Sequence, residues 1–258
     1  MNTSAQPLSV LVLQGDAEAS LLASAGPFLQ GLFPHRAVDW CSAWSPRVDQ
    51  LAAGGTPVPE ALRRAGLLPA LDPGALLEAR RDLVIVPILP SVAMPFLRHR
   101  SGGAFLAHRG LRAAWSPADA AAVAAECTEL PPLSPAEAAS ALEPTIVALQ
   151  ERGAAVVVCN AFRRVREPLA HRRPDGPPSL RELVRSTNLE IARLSQRTGC
   201  FVLDLDRPLA QQGGAELDAD CFGGADAAGE IALDELVGVL FDVMPEVGIP
   251  PPPPAEEA

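Results

Sequence analysis

Leu8-Ser9-Val10-Leu11-Val12-Leu13-Gln14-Gly15-Asp16-Ala17 is the stretch on which the fold turns. Residues Leu8–Leu13 are apolar except for one serine. A membrane helix needs about 20 apolar residues, so this run is far too short to span a bilayer. An apolar run of this length, closed by turn residues, reads as a strand covered on both faces. Beyond Gly15-Asp16, apolar residues recur at Leu21, Leu22, Ala25, Phe28, Leu29 and Leu32, the spacing of a helix over Ala17–Leu32. Gly26-Pro27 within it predicts a kink or a split. Strand, tight turn and helix together are the opening of a βαβ unit.

Four further runs have the same character: Ala37–Cys41, Leu83–Leu89, Ala154–Cys159 and Cys200–Leu205. Pro87 lacks the N–H that a ladder needs, so the third run is expected to end early or to bulge. Helical patterns separate the runs. Ser134–Arg152 opens Ser-Pro-Ala-Glu, an N-cap with proline at the first helical position and an acid in the first turn. It stops at Gly153, a residue suited to a left-handed C-cap, and Pro144 inside it predicts a kink. Ser179–Thr198 and Ala225–Met244 carry the other long stripes, and Ser116 starts a short Ala-rich helix over Pro117–Cys127. The alternation implies right-handed crossovers and a parallel sheet. The expectation is a three-layer α/β/α domain with a flavodoxin-like five-stranded sheet. It covers residues 1–248 as one domain, with irregular insertions at 51–80 and 98–133. Residues 249–258, IPPPPPAEEA, form a proline-rich tail expected to be disordered; docking of its polyproline segment to a partner's aromatic groove is the sharper alternative.

The chain has 258 residues, a net charge of −10 and a pI near 4.9. Its 21 basic residues are all arginine. A nucleic-acid backbone would be repelled by such a surface, so no nucleic-acid partner is expected. The five cysteines (Cys41, Cys127, Cys159, Cys200, Cys221) form no C-x-x-C pair. They read as small core residues in a reducing setting. Met1–Pro7 has no positively charged leader and no run approaches membrane length. A soluble, cytoplasmic protein without cofactor is expected.

Several groups carry chemistry. Asp16, Asp204, Asp206, Asp218 and Asp220 all fall toward the C-terminal ends of strands one and five, the edge at which open α/β sheets bind ligands. They are either a solvated acidic rim or paired carboxylates fit for a divalent cation. His99 and His108 stand among Arg98, Arg100 and Arg109 beside Ser101-Gly102-Gly103, either a solvated loop or a cradle for an anion. No histidine pair has metal-ligand spacing, so no metal site is expected. The basic stretch Arg163, Arg164, Arg166 to His171-Arg172-Arg173 follows strand four. It would meet a phosphate, a glycan carboxylate or an acidic partner, or simply balance nearby acid.

The order of these features resembles the SGNH (GDSL) hydrolase superfamily over roughly residues 8–244. That family opens strand, Gly-Asp-Ser, helix; here Gly15-Asp16-Ala17 follows the first run. A helix ending in Arg152-Gly153 before a valine-rich strand is similar too. So is Asn188 in a helix ahead of Gly199-Cys-Phe-Val-Leu-Asp204. Leu217-Asp218-Ala-Asp220 to Gly229 stands where the family has Asp-x-x-His and a following glycine. Gly15-Asp16-Ala-Glu-Ala19 also resembles the "GNCQA" phrase of a branch linked to capsular polysaccharide biosynthesis.

The resemblance implies a serine nucleophile, a histidine base and an orienting aspartate. This chain departs from each. Ala17 holds the serine position, and a methyl group cannot attack a carbonyl. The block expected to supply Gly and Asn to the oxyanion hole reads Leu89-Pro90-Ser91. Gly224 falls on the histidine position and Cys221 on the aspartate position; a shift restores Asp220 as the acid, but no histidine follows His171. The chain is therefore expected to be a catalytically inactive SGNH-like binding or scaffold subunit, its context bacterial polysaccharide synthesis or secretion. A protein partner, through the proline-rich tail, and a small-molecule or glycan ligand are expected. The ligand-binding candidates are Gly15, Asp16, Ser20, Ser91, Asn160, Arg163, Arg164 and Asp220. The alternatives are an esterase or acyl transferase that uses other residues, such as Asp16 with a loop histidine, and a small-molecule sensor using the vacated pocket.

Overall fold

A computed structural model of the chain describes residues 7–14, 22, 25–33, 36–45, 47–51, 62, 78–101, 104–105, 112–161, 180–211 and 227–243. All five apolar runs are strands of one parallel sheet: β1 (Leu8–Gln14), β2 (Val38–Trp44), β3 (Leu83–Pro87), β7 (Ala155–Cys159) and β8 (Phe201–Leu203), in the order β2-β1-β3-β7-β8. Counted within this sheet alone, the order is 2-1-3-4-5, that of flavodoxin-like folds. The sequence order of strands reverses between β1 and β3, the kind of switch point at which open α/β sheets bind ligands at their C-terminal edge.

Period-two alternation divides the strand residues between two cores. Leu8, Val10 and Val12 face the layer formed by α1 (Ala25–Leu32) and α7 (Ala227–Val243), together with Ile85, Val157 and Leu203. Leu11, Leu13, Val84, Val86, Val156 and Val158 face α4 (Pro135–Glu151) and α5 (Leu180–Thr198). The architecture is three-layer α/β/α. Every residue of β3 and β7 is buried, as central strands covered on both sides require. Each buried leucine or valine side chain contributes about 1.5–3 kcal/mol relative to exposure, so the paired cores are the main source of stability.

The expected boundaries shift in instructive places. β2 runs three residues beyond Cys41, because Ser42, Ala43 and Trp44 continue the register opposite Val12, Leu13 and Gln14. It is the edge strand, so exposed Asp39 and Ser42 do not oppose it. β3 ends at Pro87, where the missing N–H no longer matters, and Leu89–Ala93 forms a one-turn helix, α2. The described part of the first helical stretch is α1 from Ala25, with Pro27 in its first turn, where a missing donor is tolerated; residues 17–21, where the stretch is expected to begin, lie outside the described residues. α4 runs through Pro144 without interruption. It closes in a Schellman motif: Gly153 takes φ +87°, its N–H donates to the Gln150 carbonyl and Ala154 N–H donates to that of Leu149.

The stretch expected as an irregular insertion at 98–133 contains a second sheet. β4 (Phe96–His99) pairs antiparallel with β5 (Ala104–Phe105) and with β6 (Cys127–Leu130), and α3 (Pro117–Glu126) leads directly into β6. A capping box between Ser116 and Asp119 starts α3. Leu62, Leu97, Val123 and Cys127 form its small core. The segment 51–80 lies mostly outside the described residues, as does the tail at 249–258.

Candidate functional site

The C-terminal edge is where β7 and β8 deliver two polar residues side by side. Asn160 follows the last residue of β7, and Asp204 the last of β8. Asn160 is 5% exposed. Its Nδ2 donates to Asp204 Oδ1 at 2.6 Å, and its Oδ1 accepts from the Leu205 N–H at 2.8 Å. Its own N–H donates to the Leu203 carbonyl at 3.0 Å, extending the ladder by one bond. Asp204 Oδ1 also accepts from the Arg207 N–H at 3.2 Å and so holds the start of α6 (Asp206–Gln211). Much of the hydrogen-bonding capacity of this pair is thus spent on fixing the loop after β8.

Beside the pair, an open cleft of about 580 Å³ lies between α5 and the edge strand β8. Asn160, Asn188, Ser195, Gln196, Asp204, Asp206 and Arg207 supply its polar lining. Asn188 is engaged with Ala161 and the Ser195 hydroxyl donates to the Cys200 carbonyl at 2.6 Å, so Gln196, Asp206 and Arg207 carry most of the donors and acceptors left for a ligand. Among the described residues no histidine lines it. The cleft therefore has groups to bind a polar molecule, and among the lining residues no imidazole to take a proton from a hydroxyl.

Ser91 is a different case. Within α2 it is completely buried; its Oγ accepts from the Val48 N–H at 3.1 Å, and its carbonyl accepts from Leu133 N–H at 2.8 Å. Arg47 reinforces the same junction with paired bonds to Asp49 and one to the Pro131 carbonyl at 3.3 Å. Ser91 thus ties three segments together next to the end of β3, buried and with its Oγ accepting from the Val48 N–H.

Of the acidic group, Asp204 and Asp206 both border the cleft. Among the described residues no three His, Cys, Asp or Glu side chains gather in an arrangement fit for a metal ion. Gly15, Asp16, Ala17, Ser20, Arg163, Arg164, Asp218, Asp220 and Gly224 lie outside the described residues, as do His108 and Arg109. His99 is the last residue of β4, not part of a solvated loop, and is 6% exposed. Arg98 and Arg100 on either side of it are exposed. Arg100 pairs with Glu126 at 3.4 Å.

Sequence reasoning passed over two contacts. Asn160 follows the fourth apolar run and Asp204 sits near the end of the fifth, so the adjacency of those two strands would have set them side by side. Asn188 stood out only through its place in a family motif. The structure shows what it does there: it clamps the backbone of Ala161.

Among the described residues no helix is long and apolar enough to cross a membrane. No family model matches the sequence. No curated protein matches it either. Solved structures do match in chain path. One is described as "a putative SGNH hydrolase from Slackia heliotrinireducens": 13% identity, 89% of this chain and 99% of that chain, TM-score 0.43. A second is the acetyl xylan esterase AlAXEase, at 11% identity, 90% of this chain and 100% of that one, TM-score 0.47. A third is LAE5, an α/β hydrolase from the metagenome of Lake Arreo, Spain, at 10% identity, 94% and 95% coverage, TM-score 0.46.

Proposed function

We propose that this chain is an SGNH-like domain whose sheet edge binds a polar ligand instead of hydrolysing it, and that it serves as a binding or scaffold subunit. The observation that carries this reading is the cleft beside Asn160 and Asp204: it is polar and open, and none of the described residues that line it is a histidine. The sequence supports it, because Ala17 stands at the nucleophile position and no histidine follows His171. A triad without nucleophile or base loses orders of magnitude in rate. What the site retains, amides, carboxylate and Arg207, is the chemistry that recognises hydroxyls and acids, so a glycan or similar polyol suits it best. A setting in polysaccharide synthesis or secretion rests on the likeness of Gly15-Asp16-Ala17-Glu18-Ala19 to the capsule branch.

Differential scanning fluorimetry and calorimetry against acidic and neutral oligosaccharides test the binding role. A ligand that raises the melting temperature of the native chain, and does so less for Arg207→Ala, is the expected result. Ester hydrolysis abolished by Asp16→Ala would overturn the reading. A pull-down with and without residues 249–258 tests the scaffold role, which fails if neither form retains a partner. An esterase working through other residues is the second reading, and the surroundings of His99 favour it at a different place in the molecule.

A further inference from the structure

At the free end of the small antiparallel sheet a hydroxyl, an imidazole and a carboxylate lie in line. Ser101 Oγ is 2.7 Å from His99 Nδ1, and His99 Nε2 is 3.0 Å from Glu126 Oε2. The Ser101 N–H also points at Nδ1, at 3.1 Å. A backbone N–H can only donate, so Nδ1 is assigned as an acceptor and the ring proton sits on Nε2, donated to Glu126. The Ser101 hydroxyl, the other neighbour of Nδ1, then donates as well. This is the protonation pattern a base needs to activate a hydroxyl.

The backbone holds the three groups in place. His99 pairs with Cys127 across the β4–β6 ladder, and the Arg100 N–H donates to the Glu126 carbonyl at 3.0 Å. Glu126 is thereby fixed where α3 meets β6. Exposure is graded along the row: Ser101 faces solvent, the His99 side chain is 8% exposed, and Glu126 lies between at 34%. The hydrogen bond from His99, and then the Arg100 charge, hold the Glu126 carboxyl below the usual carboxylate range, so it stays ionised at neutral pH.

We propose that Ser101, His99 and Glu126 form a nucleophile–base–carboxylate relay that accepts the acyl group of a small carboxylic ester, at a site separate from the sheet edge. Ser101 Oγ forms a bond to the ester carbonyl carbon as its proton passes to His99 Nδ1. The imidazolium so formed is stabilised by Glu126 through Nε2–H. The carbon–oxygen bond to the leaving alcohol breaks, and that alcohol departs with the proton from Nδ1. Water, activated by the same imidazole, then releases the acid. Proton arrival on Nδ1 also displaces the Ser101 N–H, freeing a backbone donor on the attacking residue. Relative to a serine protease, the two ring nitrogens exchange roles, with Nδ1 toward the nucleophile and Nε2 toward the acid.

A fluorophosphonate probe on the full chain tests this. Ser101 Oγ would bond to phosphorus while the phosphorus–fluorine bond breaks, giving a stable adduct that intact mass and peptide mapping locate. We expect labelling at Ser101 in the native protein, none there in Ser101→Ala, and labelling slowed about 100-fold or more in His99→Gln and in Glu126→Gln. Glu126 is partly exposed, so the Glu126→Gln variant keeps the test usable if His99→Gln does not fold. The same serine should carry an acetyl group after brief exposure to p-nitrophenyl acetate. No adduct at Ser101, or equal rates in Glu126→Gln and the native chain, would overturn the proposal and leave a hydrogen-bonded turn. This outcome is independent of the sheet-edge reading, which is tested by the Asp16→Ala, oligosaccharide and pull-down experiments above.

Discussion

The side-chain amide of Asn188 brackets the backbone of Ala161, accepting from its N–H and donating to its carbonyl at 2.8 Å each. It gives Ala161 the two bonds a neighbouring strand would give, just beyond the end of β7. Ala161 is fully buried, so neither group has water as an alternative partner. Replacing Asn188 with leucine would keep the bulk and leave both groups unpaired. Each buried group without a partner costs about 1–3 kcal/mol, so Asn188→Leu should lower stability by about 2–4 kcal/mol. Urea denaturation checks this; a loss under about 0.5 kcal/mol would show that the loop finds other partners.

Glycines at helix ends and helix middles should respond in opposite directions. Gly153 adopts φ +87° in the cap of α4, a conformation that strains any L residue. Gly153→Ala should cost about 1–2 kcal/mol. Gly238, inside α7, is exposed, and an added methyl would meet nothing within 4 Å. Gly238→Ala should stabilise by about 0.5–1 kcal/mol, since alanine restricts the unfolded chain and favours helix. Gly26 sets a third limit, because a methyl there would fall 2.8 Å from Cγ of Trp40. Thermal melts of the three variants should therefore rank Gly238→Ala above the native chain and the other two below it.

Acid should weaken the fold through a few surface carboxylates. Ser116 and Ser134 hydrogen bonds lower the pKa values of Asp119 and Glu137 in their capping boxes. Arg197 lowers that of Glu143, where α4 meets α5. Each is depressed in the folded chain relative to the unfolded one. Their stabilisation is therefore present above the ordinary carboxylate range and is lost as pH falls through the folded-state values. The urea midpoint should stay flat from neutral to mildly acidic pH and drop below the ordinary range. In Ser134→Ala the drop should be shallower, because the depression of Glu137 is removed from the start. An unchanged slope would show that the box is not formed in solution.

The parallel sheet was legible because burial on both faces leaves a plain mark: five short runs with little polar content. The second sheet was not. Phe96-Leu97-Arg98-His99 and Cys127-Thr128-Glu129-Leu130 mix apolar and charged residues over four positions each, and β5 has only two residues. No window of that length separates such strands from a loop. The same gap concealed the relay. Ser101 and His99 stand two positions apart in sequence, but Glu126 joins them only through the β4–β6 pairing. Ser91, by contrast, was singled out by its position after strand three and proves to be buried, a distinction that sequence position does not encode.

Cysteine reactivity should follow burial. Burial raises the pKa of Cys200 against weaker opposing hydrogen bonds, and raises that of Cys127 with help from the Glu126 charge. Thiolate is the reactive form, so both should be slow toward alkylating agents, and fully buried Cys159 slower still through lack of access. Cys41 on the edge strand β2 is partly exposed. With iodoacetamide at mildly alkaline pH, peptide mapping of the native chain should find Cys41 modified ahead of Cys127, Cys159 and Cys200. The three should become reactive together only where denaturant unfolds the sheet, since they belong to cores that open cooperatively. Early modification of Cys127 alone would mean that the small antiparallel sheet opens without the rest. The Ser101–His99–Glu126 geometry would then be transient as well, because Cys127 pairs with His99 in the same ladder.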